Sequence, residues 1–339
     1  MTESPREIRS LSAIAGLVLL VVLVFGTTLS HDFVRWDDQL NFYENPHLTG
    51  DTEGGIGWCW KGAYEGLYIP LTYSLWTVLW NVAPRATDLS LSPQPIADPA
   101  VFHLANLLVH LGSVLLVYHL LLTLLGRKKT LAAALGAALF AVHPLMAEPV
   151  SWVTGMKDLL SGFLGIAALC FYVHASQRAG KKKFPGGFTA YWVALALFAL
   201  AMLAKPGAVV LPALAWLIDV LVLGRGWKKS LKNLLPFVGL AVLFSIITFQ
   251  VQGEPDPKLG YPAPDPILFA NRPILALYCL ALYAGKVLYP LGLVPQYPIT
   301  PEEALTASRA FPIWAIPLLA LVFLWRIRHR WPYLFAGSA

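Results

Sequence analysis

Apolar positions run along this chain in long unbroken blocks, not in the alternation of half-buried strands or the one-sided stripe of soluble helices. Eight blocks, at about 11–30, 101–125, 131–146, 158–176, 188–204, 206–223, 233–250 and 311–325, predict helices. Their lengths approach the roughly 20 residues needed to cross a hydrocarbon core of about 30 Å. A ninth block, about 272–290, is apolar but carries Arg272 and Lys286 and continues into the polar run Gln296 to Glu303. It reads as a re-entrant or surface-lying piece, with a missed short crossing as the competing explanation. Tyr68 to Trp80, rich in Trp and Tyr, predicts an amphipathic helix at headgroup level, separated from the next block by Pro, Gly and Ser at 84–99. The expected fold is an all-α integral membrane protein of about 8 to 9 transmembrane helices. The whole chain, 1–339, is expected to form one transmembrane module, with a first outer loop at 31–100 and a second outer region at 251–310.

Charge gives the blocks a direction. Five basic clusters lie between them: Arg6/Arg9, Arg127/Lys128/Lys129, Arg178 with Lys181 to Lys183, Arg225/Lys228/Lys229/Lys232, and Arg326/Arg328/Arg330. Together they hold 16 of the 25 Lys and Arg. A cytoplasmic N-terminus puts the first four clusters on the cytoplasmic side, because two crossings separate each from the next. Of the 19 acidic residues only Glu3, Glu7 and Asp219 then fall at or near that side. A full crossing at 272–290 would put Arg326 on the wrong side, hence the re-entrant assignment. The first block follows Arg6 and Arg9, is long for a signal peptide and lacks a small-x-small cleavage site, so it is expected to stay as an anchor.

Composition agrees. The chain is 57% apolar and only 13% charged, against roughly 25% charged in soluble domains. The formal charge of +6 resides in short inter-block clusters, which is topology and not a nucleic-acid footprint. Cys59, Cys170 and Cys279 form no disulfide framework. No Walker motif and no Gly-rich dinucleotide loop is present, and the inner loops are too short for a nucleotide-binding domain.

Candidate chemistry gathers at the block ends on the acidic side. Trp36-Asp37-Asp38-Gln39 follows the first block. Adjacent helical carboxylates diverge by about 100°, so one can face a substrate and the other a cation; a solvated cap is the plain alternative. His143-Pro144, Glu148 and Lys157-Asp158 join the third and fourth blocks. Ionisable groups at membrane depth mark sites by default, whereas snorkelling and capping are the structural alternative. Lys205-Pro206-Gly207 offers a cation at the turn between two blocks, suited to a lipid phosphate, with Arg272 and Lys286 as further positive charge. His103 and His110, seven apart on one face, suit helix packing. Asp37 and Asp38, with Glu44 and His47, are candidate ligands for Mg²⁺ or Mn²⁺.

Taken in order, these segments resemble polytopic GT-C fold glycosyltransferases, closest to the protein O-mannosyltransferase-like family that often carries tetratricopeptide repeats. The likeness runs through Trp36 to Gln39, Asn45-Pro46, Tyr68 to Thr72, Phe102 to His110, His143-Pro144, Glu148 to Val150, Gly155 to Asp158, Ala204 to Pro206 and Leu211-Pro212. The resemblance implies transfer of a sugar such as mannose from a polyprenyl-phosphate-linked donor to an acceptor hydroxyl of a protein, lipid or glycan. The expected setting is the extracytoplasmic face of a bacterial inner membrane, with membrane lipids as surroundings. It implies Asp37 as catalytic base with Asp38 beside it, and Lys205 and Arg272 at the donor phosphate. Tyr68, His143, Glu148, Lys157 and Asp158 are expected to support the site. Two departures stand out: a basic residue common before the proline of the Tyr-x-Pro-Leu segment is Ile69 here, and the chain ends soon after Arg330, without the later spans and repeats of longer relatives. A transporter or flippase of a lipid-linked sugar would call for an inverted repeat and broken midplane helices, neither evident in the sequence. A non-catalytic membrane subunit is the third reading.

Overall fold

The computed structural model describes residues 5–50, 54–86, 95–178, 186–252, 266–294, 297, 299–310 and 312–327. Lys181 to Lys183, Arg328, Arg330, Glu3 and Gln296 lie outside the described residues. The protein is an all-α, multi-pass membrane protein. Among the described residues, strand pairing is confined to the two-residue antiparallel pair Arg85–Ala86 with Ile96–Ala97 and a bridge between Tyr64 and Leu67. Five helices are long and apolar enough to cross a membrane: Arg9–Ser30, Pro99–Leu125, Val153–Arg178, Gly187–Ala204 and Trp227–Val251. Each coincides with a block expected from the sequence.

Three other blocks differ from single straight spans. The third is two helices, Thr130–Ala141 and Pro144–Ser151, bent by 50° at the break. The cause is Pro144, which pushes the preceding His143 into an extended conformation, ψ 133°. The sixth, Pro206–Val222, passes through a 3₁₀ turn, a short α-helix and a π turn. At about 1.5 Å per residue it falls short of a roughly 30 Å core. The last is described as Ala315–Ile327, 13 residues. The ambiguous block, up to residue 288, is one continuous helix, Pro266–Leu288, with Pro273 inside it.

The chain divides into two compact units, 1–215 with 233–251, and 216–232 with 252–339. In the first, in chain order, lie α1 (Pro5–Phe25), α2 (Pro46–Thr49), α3 (Pro70–Val82), α4 (Pro99–Leu125), α5 (Thr130–Ala141), α6 (Ala147–Ser151), α7 (Met156–Arg178), α8 (Gly186–Ala204) and most of α9 (Leu211–Leu217), whose last two residues fall in the second. Helix α7 packs on α8 and α4; α5 packs on α4 and α1. Lipid tails are as apolar as Leu, so close packing of small residues holds such helices together. Ala133, Ala137 and Ala141 form a fully buried stripe on α5. A Cβ on Gly136 would stand 2.7 Å from Leu121, and one on Gly165 2.7 Å from Leu211. The opposite faces, with Leu19, Leu23, Leu131, Leu135 and Leu139, are exposed, as lipid-facing positions should be.

The segment after α1 folds into an aromatic core of its own. Phe33, Phe42, Tyr43, Trp58, Tyr73, Trp76, Trp80 and Phe102 are buried together, with Phe42 edge-on to Phe102 at 4.9 Å and to Trp76 at 5.0 Å. Tyr64 donates to Leu40 O and Tyr73 to Tyr64 O, both at 2.9 Å. Burial pushes both phenols up, so both stay neutral donors. The expected amphipathic helix is α3, which turns Thr72, Tyr73, Trp76 and Trp80 inward and leaves Val78 and Val82 exposed. Ile69 is 1% exposed within this core, so an apolar residue suits that position.

The second unit holds α11 (Pro266–Leu288), α12 (Pro301–Ala310) and α13 (Ala315–Ile327), while α10 (Trp227–Gln252) gives residues to both. Thr300 and Glu303 form a reciprocal capping box at the start of α12, with bonds of 2.9 and 3.2 Å. Buried Asp219 pairs with Arg225 at 3.1 Å.

Candidate active site

Asp37 and Asp38 sit in the turn between Phe33 and the π turn Gln39–Tyr43, and they face opposite ways. Asp38 is fully buried. Its Oδ2 accepts from Val34 N at 2.9 Å, and its Oδ1 accepts from Thr154 N at 3.0 Å and Thr154 Oγ1 at 2.6 Å. Burial pushes this carboxyl above its usual range against the pull of those three donors. Asp38 is thus a tie between the turn after α1 and the turn before α7.

Asp37 points outward. Its Oδ2 lies 3.5 Å from Lys157 Nζ, with the Asp37 side chain 39% and the Lys157 side chain 14% exposed. Asn41 Nδ2 holds the Asp37 carbonyl at 2.8 Å. The Lys157 ammonium also lies 5.5 Å from the centre of the Trp152 ring. Asp158, the next residue on α7, diverges by about 100° and pairs with Lys205, which follows α8. The result is a chain of four charges of alternating sign, Asp37, Lys157, Asp158 and Lys205, at one end of the bundle.

The backbone around these charges is pinned by neutral polar groups. Ser161, one turn along α7, donates to Ala201 O at 3.0 Å and Lys205 O at 3.2 Å. Thr72 donates from α3 to Ala204 O at 2.9 Å. Asn106, buried in α4, donates to Trp152 O at 2.7 Å. Gly155 is obligatory, since a Cβ there would meet Pro149 O at 2.4 Å.

Of the residues expected from the sequence, Asp37, Lys157, Asp158 and Lys205 come together. His143 instead caps the turn Pro144–Met146, its Nδ1 accepting from Leu145 N at 3.2 Å. Glu148 is exposed on α6 and Tyr68 is half-buried ahead of Ile69; neither belongs to the charge chain. Arg272 is exposed on α11 in the second unit. His103 and His110 are buried in α4. Thr154, Ser161, Thr72 and Asn106 escaped sequence reasoning. Asn106 carried the clearest signal, an amide within an apolar span that must find a partner there. For a metal at Asp37 and Asp38, both Asp38 oxygens already accept from the protein, and among the described residues no three His, Cys, Asp or Glu converge.

Fold and site together define a multi-pass membrane protein with a paired-charge site where several helices end. The chain is similar to protein O-mannosyl-transferase TMTC4 of Homo sapiens, 35% identical over 229 residues, which are 61% of this chain and 29% of that protein. It is also similar to TMTC4 of Mus musculus, 28% identical over 235 residues, 62% of this chain and 29% of that one. A third relative is protein O-mannosyl-transferase Tmtc2 of Drosophila melanogaster, 27% identical over 252 residues, 73% of this chain and 26% of the relative. The chain therefore spans less than a third of the length of these curated relatives. No family model and no solved structure matches it.

Proposed function

We propose that the protein is a membrane glycosyltransferase of the GT-C type that moves a sugar, mannose by the names of its relatives, from a polyprenyl-phosphate-linked donor to an acceptor hydroxyl on a protein. The observation that carries this reading is the charge chain: a partly exposed carboxylate, Asp37, linked through Lys157 and Asp158 to a cation, Lys205. Transfer in one inverting step needs those two kinds of group. Asp37 takes the proton of the acceptor hydroxyl as its oxygen bonds to the anomeric carbon. The bond from that carbon to the phosphate oxygen breaks, and the lipid phosphate leaves with the electron pair. Its charge rises as it leaves, so it needs a fixed cation more than an acid, and Lys205 is suited to that task. The apolar faces around the site suit the donor's prenyl tail, and the acidic side of the membrane is the extracytoplasmic one by the basic-cluster rule. Relatives named protein O-mannosyl-transferases support the same chemistry.

The test is sugar transfer from polyprenyl-phosphate-mannose by the full chain in detergent, with and without Asp37→Asn. The variant is expected to lose turnover by about 10² or more, the scale of a positioned base. Unchanged turnover would remove Asp37 from the chemistry, and a wild-type chain that transfers no sugar would remove the transferase reading.

A further inference from the structure

We propose that Lys157 joins Lys205 in holding the donor's phosphate, and that the phosphate draws Lys157 away from Asp37, so that donor binding itself unmasks the base. The inference rests on the transferase reading and names how that site is regulated.

The Lys157 ammonium is only partly filled. A lysine carries three donors. Among the described residues, Lys157 has one carboxylate oxygen at 3.5 Å and the face of Trp152 at 5.5 Å. A charge-assisted bond of this kind normally closes to about 2.7–2.9 Å. With 14% of its side chain exposed, Lys157 has little water to make up the deficit, and a half-satisfied charge at such depth is costly. The arrangement is therefore a poor salt bridge but an open seat for a second, better acceptor. A phosphate has several non-ester oxygens and reaches two ammonium groups at once. Lys205 belongs to the same seat, because it is paired with Asp158, the residue that follows Lys157 on α7.

Occupancy changes both ends. Without an anion, each lysine is neutralised by a carboxylate and the site carries no net charge. When a phosphodiester arrives, the lysines turn to it, and the Asp37 carboxylate loses its cation and stands open to the acceptor hydroxyl. During transfer the phosphorus group passes from a monoanionic diester to a monoester of charge about −1.5 to −2. Two lysines thus bind the departing group more strongly than the donor, which favours the transition state over the ground state.

The test is equilibrium binding of farnesyl phosphate to the purified full chain, with farnesol as the uncharged control. Lys157→Met is expected to weaken farnesyl phosphate about tenfold while Lys157→Arg retains most of the affinity. Asp37→Asn is expected to tighten it several-fold by releasing Lys157 and removing a repelling charge. Farnesol affinity is expected to stay level across the set, which shows that the variants are folded. Wild-type affinity in Lys157→Met, or weaker binding in Asp37→Asn, overturns the proposal. Binding is read without turnover: this pattern in a chain that transfers no sugar would sink the transferase reading alone. Active transfer with binding indifferent to Lys157 would sink only this inference.

Discussion

Asp37→Asn and Asp38→Asn exchange the same atom in neighbouring residues, and they are expected to fail in different ways. Asp38 is fully buried and accepts three hydrogen bonds, from Val34 N, Thr154 N and Thr154 Oγ1. An asparagine keeps one acceptor oxygen, so its amide must face either the Val34 N–H or the two Thr154 donors, and at least one donor meets a donor. A bond to a charged group contributes about 1.5–3 kcal/mol, and a stranded buried donor costs about 1–3 kcal/mol. Relief from burying a carboxylate offsets part of this, leaving a net loss of about 1–3 kcal/mol. Asp37 is 39% exposed and its ion pair with the 14%-exposed Lys157 is long; the asparagine keeps an amide oxygen for Lys157, so the loss is that of a partly screened pair, about 0.2–1 kcal/mol. Thermal unfolding of the full chain in one detergent, run beside the transfer assay, separates the two. Asp37→Asn should melt with the wild type and not turn over, whereas Asp38→Asn should melt several degrees lower. Equal melting of Asp38→Asn and wild type would refute the buried tie, and collapse of Asp37→Asn would make it structural too.

Gly155→Ala drives a Cβ to 2.4 Å from Pro149 O, against backbone that has no rotamer to yield; folded yield in detergent should fall sharply. Gly162→Ala on the same helix, with nothing within 4 Å, should match or exceed wild-type stability by about 0.5–1 kcal/mol. Asn106→Leu removes the 2.7 Å bond to Trp152 O and should cost about 1–3 kcal/mol, read as a lower melting temperature. Because burial raises the Asp38 carboxyl, the native state holds its proton at a pH where the unfolded chain has released it. Between those two pKa values stability rises as pH falls. The wild type should therefore gain on Asp38→Asn when melting is compared from neutral pH down toward the ordinary carboxylate range, and a gap that widens in favour of Asp38→Asn would contradict the burial argument.

The spans that the sequence made legible are those whose apolar run is long and whose backbone is regular, α1, α4, α7, α8 and α10. Hydropathy counts side chains and is blind to backbone geometry, so the break at His143–Pro144 and the mixed helical turns of Pro206–Val222 did not register as interruptions. At the site the same division holds. Asp37, Lys157, Asp158 and Lys205 were visible because charge at membrane depth is conspicuous. The pairing was not, because which of two adjacent residues meets which partner depends on helix rotation. Residue type and position do not separate Asp38 from Asp37, and the resemblance alone singles out Asp37; the buried tie of Asp38 depends on the turn before α7, far along the chain. Thr154 gave no signal: a small hydroxyl in an apolar stretch more often satisfies its own helix.

Rigidity and freedom are divided at this site in a way that bears on its use. Every group that fixes the backbone around it is buried or partly buried and neutral or fully hydrogen-bonded: Asp38 to Thr154 at 2.6 Å, Asn106 to Trp152 O at 2.7 Å, Thr72 to Ala204 O at 2.9 Å, Ser161 to Ala201 O at 3.0 Å. The charges they frame are bound otherwise. Asp37 and Lys157 meet only at 3.5 Å, while the close Lys205–Asp158 pair is 37% and 44% exposed. A purely structural ion pair in a membrane protein would be expected to reverse that order, with the charges buried deepest and bonded most tightly, because an unpaired charge is the costliest group to leave there. A loose Asp37–Lys157 pair on a stiff frame instead keeps Lys157 within reach of an incoming anion, and Asn41, bonded to the Asp37 carbonyl, holds the carboxylate's backbone in place when its cation leaves.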